Sequence, residues 1–390
     1  MRNIFIAFFF FFTLINFGQA TTTYSSIDAI MKAIPLSSTT STTAIASYIT
    51  DNFKTENDKV RASFYYTASN ISYDVSNMFD INFNETTQQK IAATLKSKKG
   101  VCIHYAETFN EINNKMGIQS YVIEGYVKKG GKVGDLAHAW NATKIDNKWY
   151  IFDPTWGSGY VDKGIFFKKL NNFYFKADPA KIIISHIPFD YLWQFLNYPI
   201  TNSEFYQGKI QVNKSKKYFD FEKEISVYNS LKEEAQLFES AERIKKNGLK
   251  NGMIVDRYQN KQVELNNLRN NNSVEKLNAI IAEMNETVVL LNDFIYYRNN
   301  KFKPTLPDEE IRKMIEIPKE KLKKCTQDIY QVGTLNDQNA NQVESIKKNL
   351  NNTLAQAEEH SVFVKNYLNK SKLVRETMFS KVSWFGIPLN

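Results

Sequence analysis

Residues 99–107 read Lys99-Gly100-Val101-Cys102-Ile103-His104-Tyr105-Ala106-Glu107, and this run sets the interpretation of the whole chain. Apolar residues at 105, 109 and 112 continue it at the spacing of a helix. A side chain in the first turn of a helix lies near unpaired N–H groups and the positive end of the helix dipole, and both favour a thiolate. A lone cysteine is most often a small buried hydrophobe. Here the context instead predicts that Cys102 is a nucleophile.

Two later runs supply the partners that a thiol nucleophile needs. His138 lies in the alternating run Ala137-His138-Ala139-Trp140-Asn141, which predicts a strand. Asp153 ends the apolar run Trp149-Tyr150-Ile151-Phe152 and precedes Pro154, which predicts a strand followed by a turn. Taken alone, the histidine would be a structural residue and the aspartate a turn former. Because a thiolate requires a base, and the base requires a group that fixes its tautomer, the three together predict a Cys-His-Asp triad.

These runs resemble the transglutaminase-like superfamily, whose pattern is Gly-x-Cys-x-x-Tyr/Phe-Ala, then His-x-Trp-Asn, then Asp-x-Thr-Trp. The chain matches that pattern at Gly100, Cys102, Tyr105, Ala106, His138, Trp140, Asn141, Asp153, Thr155 and Trp156. Residues 61–74 are similar to the helix that precedes the core in this family, and a segment within residues 174–188 resembles the branch related to kyphoscoliosis and cytokinesis proteins. The resemblance therefore covers roughly residues 40–210. His104 departs from the family, which often has a small residue there. About 200° round a helix from the nucleophile, it should point away from the thiol.

The resemblance implies an α+β fold with a papain-like or transglutaminase-like core, in which helices pack on an antiparallel sheet. It also implies a thiol enzyme that acts on amide bonds of protein or peptide substrates through a thioester, resolved by water or by an amine. Hydrolysis and crosslinking both stay open, because the shape of the cleft selects the acceptor. Tyr73 is a candidate oxyanion donor, since aromatic partners lie upstream in some relatives. We expect no cofactor and no metal, because histidine and cysteine pairs at ligand spacing are missing from the sequence.

The composition changes after about residue 212, and the pattern becomes helical and polar. Helices are predicted near 25–35, 42–54, 57–70 and 87–96, before the nucleophile helix. A later apolar seam runs through Leu277, Ile281, Met284, Val288, Leu291 and Ile295, and a weaker one through Leu350, Leu354, Ala357, Ser361, Val364 and Leu368. Asparagine tracts such as 270–272 predict loops, and prolines at 304, 307 and 318 predict breaks between helices. We therefore predict a transglutaminase-like domain at 21–212 and an all-α, partly coiled-coil-like domain at 213–390.

The first twenty residues predict a secretory signal peptide. Arg2 precedes an apolar run from Ile4 to Phe17, and the small residues Gly18 and Ala20 fit a cleavage site after residue 20. The run is shorter than the roughly 20 residues that a membrane span needs, although an uncleaved anchor is the alternative. After cleavage we expect a secreted or periplasmic protein without a transmembrane span. The formal charge of +9 is spread among many acids, which argues against a nucleic-acid partner.

A second class of function competes with the enzyme. The core could have lost turnover, with the helical C-terminal half binding a partner protein, as the kyphoscoliosis branch makes plausible. Relatives that lose activity usually lose a triad residue, and all three are present here. The sequence therefore favours the enzyme. Cys325, in a basic helical stretch, receives no chemical role, and a bridge from it to Cys102 would consume the nucleophile.

Overall fold

The computed structural model of the chain describes residues 24–79, 85–335, 337–379, 381–382 and 388–389. The predicted signal peptide at residues 1–20 lies outside this range. The chain divides into two compact units, with the division between Asn260 and Lys261. Each unit is described separately below.

The first five helices that the structure describes in the first unit begin close to the residues that the sequence predicts, and further helices follow them. They are α1 (Ser25–Lys32), α2 (Thr42–Asn52), α3 (Glu56–Asn70), α4 (Thr87–Ser97), α5 (Cys102–Lys115), α6 (Pro154–Ser158), α7 (Pro179–Ile182), α8 (Asn202–Tyr206), α9 (Phe221–Ser230) and α10 (Glu233–Lys246). Side-chain caps explain several of these starts, because Ser41, Thr55 and Thr86 each accept a backbone N–H of the following first turn. The four early helices and the nucleophile helix are confirmed.

The strands of the first unit form one main sheet and two small ones. They are β1 (Ser72–Tyr73), β2 (Lys99–Gly100), β3 (Ser120–Lys129), β4 (Lys132–Ile145), β5 (Lys148–Phe152), β6 (Gly159–Asp162), β7 (Ile165–Lys168) and β8 (His186–Pro188). The main sheet has the order β5-β4-β3-β8 and is antiparallel throughout. β1 and β2 pair in parallel, and β6 and β7 form a hairpin. The predicted α+β class, with helices on an antiparallel sheet, is confirmed.

An aromatic cluster joins α3 and α5 to the end of the sheet. Phe64 of α3 and Phe109 of α5 are fully buried against Phe152, the last residue of β5. The rings of Phe109 and Phe152 lie 5.4 Å apart, and Phe175 completes the cluster 5.4 Å from Phe152. Large rings dominate the energy of core packing. This cluster therefore fixes α5 relative to the residue that follows β5, which is Asp153.

The division between the units lies later than the predicted boundary at 212/213. Ile225 of α9 is buried in a cluster with Trp149 and Leu192, and Ile244 of α10 is buried in another with Ile187. The segment after residue 212 therefore contributes apolar side chains to the first unit. Whether residues 21–212 fold alone stays a prediction.

Long helices make up most of the second unit. α11 (Gly252–Asn299) begins before the division and continues past it, and α12 (Asp308–Asp328), α13 (Asp337–Leu368) and α14 (Lys372–Arg375) follow, with short strands β9 (Lys381–Val382) and β10 (Pro388–Leu389). Both predicted apolar seams are buried or half-buried, and members of each belong to one cluster. The long helical C-terminal region is confirmed, while its coiled-coil character stays a prediction. None of the described helices is long and apolar enough to cross a membrane.

Two local predictions in this unit are wrong. The asparagine tract at 270–272 lies inside α11 rather than in a loop. Asparagine is only a weak helix former, and burial of Leu277 and its seam outweighs that preference. Pro318 lies inside α12 and breaks no helix, whereas Pro304 and Pro307 do separate α11 from α12. Pro318 is buried, so packing offsets the backbone hydrogen bond that its ring removes.

Candidate active site

Cys102 is the first residue of α5, as the sequence predicts. Its side chain is half-buried, and Val101 before it has extended backbone. The ring of His104 points back to the helix start, where Nδ1 accepts the backbone N–H of Val101 at 3.0 Å. His104 therefore caps the nucleophile helix. Burial lowers the pKa of His104, which keeps the ring neutral and able to accept.

Gly100 makes room for this cap. A Cβ built on Gly100 would lie 2.6 Å from Cβ of His104, closer than real side chains approach. Close approach of the capping ring is therefore the reason for the glycine, and no pattern in the sequence discloses it.

His138 lies on β4 and is 8% exposed. Three residues further along the same strand, the Nδ2 amide of Asn141 donates to the carbonyl of Ala106 in α5 at 2.9 Å and to that of Tyr121 in β3 at 3.3 Å. One buried amide thus ties the nucleophile helix to two strands of the sheet. This tie brings the first turn of α5 close to His138, and the thiol of Cys102 lies near enough to the ring to help raise the pKa of His138.

Asp153 follows β5 and caps α6, and both of its oxygens are occupied. Oδ1 accepts the backbone N–H groups of Thr155 and Trp156, each at 2.9 Å. Oδ2 lies 2.7 Å from Nε2 of His138. The carboxylate is therefore fixed by its own helix while it holds the imidazole, and Nδ1 of His138 is the ring nitrogen left for the thiol. The structure thus brings together Cys102, His138 and Asp153.

Electrostatic interactions favour the charged forms of both His138 and Asp153. Burial alone would disfavour a charged imidazole, but the charge and hydrogen bond of Asp153, with a smaller contribution from Cys102, raise the pKa of His138 to about 10. Burial would likewise raise the pKa of Asp153, but His138 and a second histidine hold it well below its usual range. The carboxylate is therefore ionised at neutral pH and stabilises an imidazolium beside the thiol.

Tyr73 lies next to these groups. It is the last residue of β1 and pairs with Gly100 of β2, two residues before the nucleophile. Burial, followed by the nearby charges of Cys102 and Asp153, raises the pKa of Tyr73 to about 12. Its hydroxyl is therefore protonated at neutral pH and able to donate a hydrogen bond. This placement fits the donor role that the sequence suggests.

A cavity of about 700 Å³ opens onto His138. Its walls include the aromatic side chains of Tyr73, Trp156, Tyr160, Phe166 and Tyr174. Thr155 also lines it, and its buried hydroxyl oxygen makes no hydrogen bond within the described part of the chain. A cavity with apolar walls and a few convergent polar groups suits an extended peptide or a side-chain amide.

His186, the first residue of β8, is the site residue that the sequence analysis missed. Its Nε2 lies 3.1 Å from Oδ2 of Asp153, the same oxygen that His138 contacts. Its other ring nitrogen, Nδ1, lies 2.8 Å from Oγ of Ser185. The run Ser185-His186-Ile187-Pro188 contributes to the family resemblance, but nothing in its local pattern links it to a carboxylate 33 residues earlier.

Within the described residues, one group could in principle ligate a metal. The donor atoms of His138, Asp153 and His186 lie within 4.8 Å of one another. However, the two imidazoles contact the carboxylate directly at 2.7 and 3.1 Å, which are hydrogen-bond distances, and both oxygens of the carboxylate already have donors. The arrangement therefore fits a hydrogen-bonded network better than a metal centre, and the predicted absence of a metal stays a prediction.

Comparison with known proteins matches part of this chain to a family. The family model of the transglutaminase-like superfamily matches residues 43–154, which contain α2 to α5, β3 to β5 and the three predicted triad residues. Residues 43–154 form a transglutaminase-like domain. The family resemblance given by the sequence motifs is confirmed over this range.

Two curated relatives share the same part of the chain. The kyphoscoliosis peptidase of Homo sapiens is 32% identical over 161 residues, which are 39% of this chain and 24% of the relative. Cytokinesis protein 3 of Schizosaccharomyces pombe is 24% identical over 173 residues, or 42% of this chain and 19% of that protein. The chain thus spans about a quarter or less of the length of these relatives. A crystal structure of a TGase is also similar, with 18% identity, a TM-score of 0.25 and coverage of 40% of this chain and 37% of that chain.

Proposed function

We propose that this protein is a thiol enzyme that acts on amide bonds of protein or peptide substrates. The observation that carries the proposal is the hydrogen bond between Nε2 of His138 and the ionised carboxylate of Asp153, with the thiol of Cys102 near enough to the same ring to help raise the pKa of His138. The pattern at residues 1–20 supports a further proposal, that the enzyme is exported.

In the reaction that we infer, the thiolate of Cys102 attacks the carbonyl carbon of an amide, and a C–S bond forms. The imidazolium of His138 gives its proton to the amide nitrogen as the C–N bond breaks, which leaves a thioester and a neutral amine. Water or a second amine then attacks the carbonyl carbon of the thioester, and His138 takes its proton. The C–S bond breaks, which releases an acid or a new amide and restores the thiolate of Cys102 beside the imidazolium. Asp153 stays ionised throughout and keeps the imidazole oriented.

The negative charge that develops on the carbonyl oxygen needs hydrogen-bond donors. The backbone N–H of Cys102, in the first turn of α5, is one candidate, because such groups have no partner within the helix. The hydroxyl of Tyr73 is the second, since burial keeps it protonated. Tyr73 pairs with Gly100 of β2, two residues before Cys102.

The test is to trap the thioester. The full chain is incubated with a library of glutamine-containing and other peptides, and adducts on cysteine are located by mass spectrometry. We expect an acyl adduct on Cys102 that is absent from Cys102→Ala and retained in the matched control Cys325→Ala. Release of the trapped adduct by a primary amine would indicate crosslinking, and release by water alone would indicate hydrolysis. Failure of every peptide to acylate Cys102 would contradict the proposal.

The same variants separate the enzyme from a scaffold whose C-terminal helices bind a partner protein. Asp153→Asn should keep the fold and lower turnover by several orders of magnitude, by analogy with the roughly 10⁴-fold loss in a serine protease. For a scaffold, partner capture would survive Cys102→Ala and Asp153→Asn and would be lost on deleting residues 261–390. Full function of Cys102→Ala in the host would rule out catalysis as the role of this protein.

A further inference from the structure

Oδ2 of Asp153 is shared by two imidazoles. His138 contacts it at 2.7 Å from β4, and His186 contacts it at 3.1 Å from β8, on the far side of β3. With the two backbone N–H groups on Oδ1, the carboxylate has four donors. The reaction proposed above uses only the donor from His138, so the second imidazole has no assigned role.

His186 is enclosed by aromatic rings. It is 1% exposed, and Trp156 and Trp140 meet it edge to face at centroid distances of 4.8 and 5.1 Å. Strand β8 pairs with β3, with His186 opposite Val127, which sets the direction of the ring. The ring is therefore shielded from water.

The contacts assign the proton on this ring. Burial lowers the pKa of His186, so the ring is neutral at neutral pH and carries a single N–H. A carboxylate only accepts, so that N–H lies on Nε2 and donates to Asp153. Nδ1 then accepts the hydroxyl proton of Ser185 at 2.8 Å, which is a shorter contact than the 3.3 Å from the same hydroxyl to the carbonyl of Ile182.

We propose that His186 is a positioning residue of this active site. By donating to Oδ2, it holds the carboxylate in place and limits how strongly that oxygen stabilises the charged form of His138. The catalytic consequence rests on the proposed function, but the hydrogen bond and its tautomer do not.

The physical reason lies in competition for one oxygen. A carboxylate oxygen with a second donor carries less uncompensated charge, so it attracts the imidazolium of His138 less. An imidazolium that is held too tightly is a poor acid toward the leaving amine. Other titratable groups face the same carboxylate and imidazoles, and they are Cys102 and Tyr105 of α5, Tyr73 of β1 and Tyr174 before α7.

The first test needs no substitution and no substrate. The full chain contains four histidines, so ¹⁵N-labelled imidazoles can be assigned individually by NMR. We expect His186 to stay neutral from pH 6 to 9 with its proton on Nε2. Ser185→Ala should then increase the fraction with the proton on Nδ1, because that nitrogen loses the hydroxyl that donates to it.

The second test compares two substitutions of similar size. His186→Gln keeps an N–H that can reach Oδ2, whereas His186→Leu keeps bulk without a donor. We expect His186→Leu to raise the midpoint of the His138 titration by about one pH unit, and His186→Gln to leave it near the wild-type value. For any peptide that acylates Cys102, the alkaline limb of kcat should move up in pH in His186→Leu alone, while KM stays nearly constant.

Several results would overturn the proposal. They are a charged or Nδ1-protonated His186 in the wild type, an unchanged His138 midpoint in His186→Leu, and a His186→Gln that behaves like His186→Leu. If His186→Leu does not fold, two measurements still test the proposal. They are the tautomer of His186 in the wild type and the midpoint of the His138 titration in His186→Gln. The two proposals can fail separately. If His186 is neutral and protonated on Nε2 but no peptide acylates Cys102, the proposed enzyme activity is refuted and the proposed hydrogen bond from His186 to Asp153 is not.

Discussion

The two cysteines are in opposite environments, and their reactivity should differ accordingly. Cys102 is half-buried at a helix start beside His138, whereas Cys325 is 2% exposed in an apolar cluster of α12, and burial raises its pKa. We expect iodoacetamide to label Cys102 at pH 6 at least about tenfold faster than Cys325. His138→Ala should remove most of the difference. Peptide mass spectrometry measures the labelling of each cysteine separately. Equal labelling rates for Cys102 and Cys325 in the wild type would contradict the predicted triad.

Gly100 should tolerate no side chain. A Cβ there would lie 2.6 Å from Cβ of His104, and because rotation of the ring does not move that Cβ, the backbone at the start of α5 would have to shift. We expect Gly100→Ala to destabilise the first unit by about 1–3 kcal/mol. Gly134→Ala is the matched control, because its new Cβ would lie 3.6 Å from the nearest atom and should cost little. Urea unfolding followed by tryptophan fluorescence measures both, and equal losses would contradict the argument.

The buried neutral state of His186 predicts a pH dependence of stability. Its pKa is lowered from 6.5 in the folded state, so the unfolded chain binds an extra proton below that pH. The stability that this ring contributes is present above pH 6.5 and is lost as the pH falls. Relative to His186→Gln, the wild type should lose up to about 1.4 kcal/mol per pH unit below 6.5. The prediction is contradicted if the unfolding free energies of the wild type and His186→Gln change by the same amount between pH 7 and pH 5.

The sequence predicts some of these residues and misses others for a physical reason. Cys102, His138 and Asp153 each lie in a run whose local pattern places them at a helix start, on a strand and after a strand, and the structure brings them together. His186 becomes visible only through pairing of β8 with β3, and His104 only through the side-chain space that Gly100 leaves. Long-range pairing and close approach leave no periodicity in a sequence.

Among the helices, α3 is anchored by a buried charge. The guanidinium of Arg61 is fully buried and binds both oxygens of Asp28 in α1 at 2.8 and 2.6 Å, and Asn172 at 2.7 Å. Two residues after Asn172, the carbonyl of Tyr174 accepts the backbone N–H of Asp153 at 3.0 Å. The ion pair therefore supports the segment that lies behind the candidate active site.

Removing this charge should destabilise the first unit. Arg61→Met leaves the carboxylate of Asp28 mostly buried without its partner, and we expect a loss of about 3–5 kcal/mol. The control Lys54→Met, at an exposed position between α2 and α3, should change stability by less than about 0.5 kcal/mol. Thermal unfolding monitored by tryptophan fluorescence tests this, and a loss equal to that of the control would contradict it.

The sequence predicts the presence of long helices more reliably than the positions of the loops and breaks between them. The seam from Leu277 to Ile295 predicts α11 because burial of one face is a cooperative, many-residue property. The asparagines at 270–272 and Pro318 are local signals, and each is overridden where tertiary packing continues the helix. Pro304 and Pro307 lie between two seams, where no packing opposes the break.

At the scale of the whole molecule, the first unit extends past the predicted boundary and ends at Asn260. The predicted boundary at 212/213 leaves out α9 and α10, although Ile225, Ile244 and Ile254 are nearly or fully buried in the first unit. Arg243 of α10 also binds both oxygens of the buried Asp190, at 2.7 and 2.8 Å. A chain that stops at 212 would expose the apolar partners of three isoleucines and leave an acid unpaired.

We therefore expect a fragment of residues 21–260 to be more stable than one of residues 21–212. Each isoleucine that is lost forfeits about 1.5–3 kcal/mol of burial, and the unpaired Asp190 costs several more, which together approach the whole stability of a typical domain. The urea midpoint of each fragment, followed by circular dichroism, measures the difference. Arg243→Met in the longer fragment isolates the contribution of the ion pair. Equal midpoints would mean that α9 and α10 only rest on a core that is already complete at residue 212, as the sequence predicts.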